Sequence, residues 1–108
     1  MEEIVVPKNG VPIRLPEERW IHIVENHDDV AGYMDDVLEV VENPDFIIKG
    51  YREALIALRQ MRANKFLAVV YKETDKVDGF IIRAYFSSKI KLEREVSLWK
   101  RKESKKEI

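Results

Sequence analysis

Apolar and polar positions change period along the chain, and the change separates strands from helices. Short apolar runs at residues 4–6 and 11–15 flank Lys8-Asn9-Gly10. Asn-Gly between two such runs signals a hairpin, so residues 1–15 read as two short strands. Pro16-Glu17-Glu18 opens a helix, with proline in the first turn and carboxylates against the positive end of the helix dipole. Trp20, Ile21, Ile23, Val24 and His27 then share one face. At ~100° per residue His27 falls within about 20° of Trp20, whereas His22 points roughly 200° away, to the polar side. A second helix runs over residues 33–42. Met34, Val37, Leu38 and Val41 form its apolar stripe, and Asn43-Pro44 ends it.

Beyond Pro44 come strand-like apolar runs. Phe46–Lys49 and residues 66–71 (FLAVVY) read as strands; residues 54–62 (ALIALRQMR) also fit a helix, but the tight turn at Ala63-Asn64-Lys65 into FLAVVY favours a strand there too, with Gly50 before it. Thr74-Asp75-Lys76 is a further turn, and residues 79–87 (GFIIRAYFS) are the last strand. Strict alternation there puts Phe80, Ile82, Ala84 and Phe86 on the core face and Ile81, Arg83, Tyr85 and Ser87 on the other. Residues 92–102 read as a short helix with Leu92, Val96 and Trp99 on one stripe, Trp99 docking it. The expectation is one α+β domain over residues 1–108. Two N-terminal helices (16–43) pack on an antiparallel sheet of about four strands (45–88), with an N-terminal hairpin and a charged tail (89–108) carrying a short C-terminal helix. Phe46–Lys49 is expected at an exposed sheet edge, which offers a dimer contact without fixing the oligomeric state.

Charge divides along the same line. The net charge of −1 combines −9 over residues 16–45 with +6 over 46–91 and +2 over 92–108. Acidic helices thus face a basic sheet. This either steers an anionic ligand to one side or simply makes the two layers complementary. The 108 residues include no cysteine, which excludes disulfides, thiolate catalysis and cysteine-based zinc sites. No apolar run approaches the ~18 residues of a membrane span, and the acidic MEEIVV start does not resemble a signal peptide, so a cytoplasmic protein is expected.

The last strand carries the most specific chemistry. A guanidinium, a phenol and a hydroxyl stand in a row at ~6.5–7 Å intervals. Arg83 can fork a phosphate, Tyr85 can stack on a base or donate a proton, and Ser87 can bond a phosphate oxygen. Arg59, Arg62, Lys65 and Lys72 extend this basic surface, and Arg19 can reach a ligand or pair with Glu18. The same face also reads as a solvated one, with Arg83 paired to Glu53 or Glu73. His27 reads either as a half-buried core histidine or as a general acid or base. Its position at a helix end beside Asp28-Asp29 favours the imidazolium form. His22 reads as a surface residue. The two histidines, five apart on opposite faces, do not make a helical zinc pair, and the adjacent Asp28/Asp29 and Asp35/Asp36 diverge too far for a metal pair. Neither metal nor organic cofactor is expected.

The order Arg19-Trp20-Ile21-His22-Ile23, His27, Asn43-Pro44-Asp45, the hairpin containing FLAVVY, and Ile82-Arg83-Ala84-Tyr85 resembles the phage-borne nuclease domains grouped with barnase, EndoU, the tRNase colicins and RelE, the BECR fold. The resemblance spans roughly residues 11–92. It implies a metal-independent endoribonuclease, toxin-like or phage-associated, in which a ribose 2′-hydroxyl attacks the adjacent phosphorus and leaves a cyclic phosphate. Because a free ribonuclease would harm its host, a cognate antitoxin or inhibitor protein is expected with it. Catalytic positions carried over are His27, Arg83, Tyr85 and Ser87, with Arg83 standing where many relatives have threonine. Arg19, Arg59, Arg62 and Lys72 are the expected RNA contacts. The alternative is a non-catalytic RNA- or protein-binding module of the same fold.

Overall fold

The computed structural model describes residues 2–91 and 97–101. Its strands are β1 (Glu3–Val5), β2 (Ile13–Leu15), β3 (Phe46–Lys49), β4 (Leu55–Arg62), β5 (Lys65–Asp75), β6 (Asp78–Ser87) and β7 (Ser97–Lys100). Its helices are α1 (Glu17–Asn26) and α2 (Met34–Glu42), joined through a 3-10 turn at Asp28–Val30. The α+β class and the N-terminal hairpin stand, since β1 and β2 pair antiparallel with Val5 opposite Ile13.

The expected four-stranded antiparallel sheet is overturned. Among the described residues one mixed sheet of seven strands runs in the order β1-β2-β6-β5-β4-β3-β7. Two additions account for the difference. The hairpin joins the sheet through a single parallel rung, Arg14 opposite Phe80. Side chains reinforce that rung. The Arg14 guanidinium forks the Asp78 carboxylate at 2.8 and 2.9 Å and meets Glu2 at 3.3 Å. The fork holds Asp78 below the usual carboxylate range. Close approach here also requires Gly79, because an added Cβ would lie 2.6 Å from Ile13 Cδ1 and 2.7 Å from the Lys72 carbonyl oxygen.

The second addition is β7. The described part of the expected C-terminal helix is a strand, antiparallel to β3, with Trp99 opposite Ile47. Pairing satisfies the outer backbone groups of β3, so β3 is not the exposed edge its sequence suggested. Trp99 alternates with exposed Leu98, as a strand requires, and lies beneath the Lys8 ammonium, 5.9 Å from its ring centre. Leu92 and Val96 lie outside the described residues.

The helices cover one face of the sheet. Ile13, Leu15, Ile23, Val37, Val41, Leu67, Val69, Tyr71, Ile81 and Ala84 form that core. Burial pushes the Tyr71 phenol up to about 12, with Glu73 adding to the shift. Ile21, expected on the apolar face of α1, is instead 50% exposed. A smaller core of Ile48, Leu58, Phe66 and Ala68 lies on the opposite, open face. Among the described residues no helix is long and apolar enough to cross a membrane.

The alternation of β6 breaks where the site lies. Val70 pairs with Arg83, but Tyr71 pairs with Ile81. Ile82 is therefore a bulged extra residue, and the strand changes phase across it. Ile81 and Ala84 both face the helices and are fully buried. Phe80, paired with Lys72, belongs to neither core, and Ile82 is only half-buried. The expected grouping of Ile81 with Arg83 and Tyr85, and of Phe80 and Ile82 with Ala84, is corrected accordingly. Beyond the bulge the expected phase returns, with Arg83 and Tyr85 on the open face.

Candidate active site

The bulge coincides with a free stretch of strand edge. Its single rung engages β2 at Phe80, so among the described residues the outer edge of β6 from Ile81 onward has no strand partner. Unpaired edge groups need another cover. The C-terminal end of α1 and the following 3-10 turn lie there. Arg19 points its guanidinium at the bulged Ile82 carbonyl, which accepts at 3.5 Å. Tyr33 meets Phe86 edge to face, with ring centres 5.0 Å apart.

His27 lies at this crossing. It follows the last turn of α1, where its amide donates to the Ile23 carbonyl at 2.8 Å, and its backbone leaves the helical region at φ −140°, ψ 74°. The half-buried imidazole reaches past the edge of β6, and its ring centre lies 5.7 Å from that of Tyr85, tilted by 36°. A core-side helix and an open-face tyrosine thus meet because, among the described residues, no strand occupies the edge between them.

Two clefts adjoin on either side of Arg83. The first, about 260 Å³, is lined by Arg19, His22, Ile23, Asn26, His27, Ile82 and Arg83. The second, about 290 Å³, lies on the open face between Tyr51, Arg52, Ala54, Ile56, Val70, Lys72, Ile82, Arg83 and Tyr85. Among the described residues no acidic side chain lines either one. Arg83 is exposed, and among the described residues it makes no hydrogen bond or ion pair. The envisaged partner Glu73 instead accepts from the Asn9 side chain at 2.5 Å. A guanidinium in that situation is available to an anion, and its planar fork matches a phosphate.

Of the eight residues expected at the site, His27, Arg83, Tyr85, Arg19 and Lys72 line these clefts. The other three do not. Ser87 shares the face of Tyr85, but its hydroxyl accepts the Lys89 amide at 3.1 Å and it lines neither cleft. Arg59 stands on the helix side, opposite Leu67, paired with Glu39 at 3.2 Å and donating to the Asn43 carbonyl at 2.5 Å. Arg62 is exposed at the β4–β5 turn, away from both clefts.

The sequence reading missed His22, Asn26, Tyr51 and Arg52. Arg19, His22 and Asn26 fall at i, i+3 and i+7, a polar stripe beside the apolar one, and this spacing was the available signal. Asn26 Nδ2 donates to the His22 carbonyl at 2.8 Å and lies 3.4 Å from His22 Nε2. Tyr51 and Arg52 belong to the loop joining β3 to β4. That loop is closed by the Gly50 amide on the Ala54 carbonyl at 2.8 Å and the Ala54 amide on the Tyr51 carbonyl at 3.1 Å. Arg52 and Glu53 both take left-handed backbone, φ 54° and 67°. Such residues cost of order 1–3 kcal/mol each, and the strain gathers at ligand-contacting loops.

A separate apolar cavity of about 260 Å³ lies between Pro7, Val41, Leu55, Tyr71 and Trp99, and holds none of the candidate residues. No family model, curated protein or solved structure matches the chain.

Proposed function

We propose that this chain is an endoribonuclease, toxin-like or phage-associated, that cuts RNA in the cytoplasm without a metal ion and is restrained by a cognate inhibitor protein. The observation that carries the reading is the meeting of His27, Arg83 and Tyr85 around the free edge of β6. His27 lines one cleft with an arginine that among the described residues makes no ion pair, and its ring centre lies 5.7 Å from that of Tyr85 on the opposite face.

The chemistry follows from these groups. A base takes the proton of a ribose 2′-hydroxyl, whose oxygen attacks the adjacent phosphorus. The bond from phosphorus to the 5′-oxygen breaks, and an acid protonates the departing oxygen. The products are a 2′,3′-cyclic phosphate and a 5′-hydroxyl. His27 is one proton-transfer group, and His22, on the same cleft wall, is available as the other. Arg83 and Arg19 stabilise the charge that grows on the phosphoryl oxygens. Tyr85 packs beside the imidazole and borders the second cleft.

The test is incubation of the full chain with total RNA in EDTA, followed by analysis of the product ends. Cleavage that leaves cyclic phosphate and is lost in both His27→Ala and Arg83→Ala is the expected result. Cleavage abolished by EDTA, or unchanged in both variants, overturns the proposal. RNA binding without cleavage would instead identify a binding module.

A further inference from the structure

We infer that the substrate is single-stranded RNA, threaded in extended form around the free edge of β6, with a base stacked on Tyr51. The inference rests on the ribonuclease reading and adds the substrate class and its path. Three clefts adjoin through shared walls. The one beside Arg14 and Phe80, about 400 Å³, shares Arg19 and His22 with the histidine cleft, and the histidine cleft shares Ile82 and Arg83 with the open-face cleft. The path therefore starts on the helix side, passes His22 and His27 at the strand edge, and ends on the opposite face of the sheet.

This shape selects a flexible polymer. A nucleic-acid duplex is a stiff rod, bent only at substantial cost over tens of base pairs. Double-stranded RNA is read across its minor groove over about 16 base pairs, and such a surface must lie along one side of the protein. A path that turns around one strand edge instead fits a chain whose successive bonds rotate freely. Charge favours the later part of this path: the first cleft sets Arg19 against Glu18, with Arg14 already paired to Asp78, whereas the next two carry Arg19, Arg83, Lys72 and Arg52 and, among the described residues, no acid. A basic track joined to an aromatic platform is how single strands are held.

Tyr51 supplies that platform. It is 80% exposed and stands at the far end of the path, with the Arg52 guanidinium 5.4 Å from its ring centre. An exposed tyrosine of this kind adds nothing to the core. The closed loop and the left-handed backbone of Arg52 and Glu53 fix where it stands.

Fluorescence anisotropy tests the path with an unstructured 12-nucleotide RNA whose 2′-hydroxyls are methylated, so that it binds without being cut. The same strand in a blunt duplex is the comparison. The expected result is tighter binding of the single strand, weakened at least about fivefold in Tyr51→Ala and retained in Tyr51→Phe. Being exposed, Tyr51 can be truncated without unfolding the chain, and circular dichroism of each variant checks this. Equal or tighter binding of the duplex, or a Tyr51→Ala variant that binds like the parent, overturns the path even if RNA is still cut. Tyr51-dependent binding of the single strand by a chain that cuts no RNA supports the path and refutes catalysis. Binding of neither RNA overturns the path.

Discussion

Replacing Arg83 separates its role in the fold from its role in the site. The side chain is exposed and, among the described residues, makes no hydrogen bond or ion pair. Its backbone partner Val70 keeps the ladder whatever side chain follows. Arg83→Gln should therefore change stability by no more than about 0.5 kcal/mol, the ordinary range for a surface substitution. The effect on cleavage should be much larger. Removing one preorganised donor from a developing oxyanion costs roughly 100- to 1,000-fold in rate, or about 3–4 kcal/mol. Arg83→Lys keeps the charge but loses the two-pronged geometry, so its rate should fall between parent and Arg83→Gln. Loss of one phosphate contact should also lower the slope of log affinity against log salt by about 0.7 for a single strand. Urea unfolding gives the first number, a fluorogenic RNA in EDTA the second, and anisotropy over a salt series the third. Arg83→Gln that cuts within threefold of the parent would refute the role in cleavage. A loss of stability beyond about 1 kcal/mol would refute the reading of Arg83 as unengaged.

Three further perturbations have distinct signatures. His27→Ala should lower the cleavage rate by about 100- to 10,000-fold with circular dichroism unchanged, because a positioned proton-transfer group is worth that much; single-turnover kinetics measure it. Arg59→Ala should leave cleavage unchanged but destabilise the fold by roughly 1–2 kcal/mol in urea, chiefly through the charged hydrogen bond to the Asn43 carbonyl, since the Glu39 carboxylate is over half exposed and adds little. Tyr71, pushed up to about 12 by burial and by Glu73, gives a signature in alkali. Its folded value lies above the unfolded value of about 10, so its contribution is fully present below pH 10 and is lost as pH rises towards 12. Urea titrations from pH 9 to 12 should show the parent losing about 2–3 kcal/mol more than Tyr71→Phe over that window.

Much of the architecture was legible because period and turn chemistry agreed. Asn9-Gly10 marked the hairpin, Asn43-Pro44 the end of α2, and Ala63-Asn64 the turn between β4 and β5. Strand order was not legible, because pairing partners depend on contacts far apart in sequence. Arg14 and Asp78 are 64 residues apart, and nothing local announces that their fork docks the hairpin against β6. SLWK fits a helix stripe and a strand equally well over four residues, and pairing with β3 decides between them. The chemistry was legible where the alternation survived, at Arg83 and Tyr85, and failed where the Ile82 bulge reversed it. Arg59 was misplaced for a related reason. Composition marks it as one more cation on a basic sheet, but the register turns it to the helix face and into the reach of Glu39.

The bulge and the short hairpin together explain how a helix-side histidine meets open-face residues at all. Alternation alone puts His27 and Arg83 on opposite sides of a sheet, which would keep them apart along any strand paired on both edges. Here β2 contributes one rung and stops, and among the described residues no strand pairs with the edge of β6 from Ile81 onward. A bare edge invites pairing with another chain. Two features guard it: the bulge, which interrupts the ladder, and Arg19, whose guanidinium meets the bulged carbonyl. The same two features border the cleft, because Ile82 and Arg19 are among its walls. Covering the edge with a helix end instead of an eighth strand brings an imidazole and two arginines to one place. The device that protects the sheet from association is thus the one that gathers the residues proposed to cut RNA.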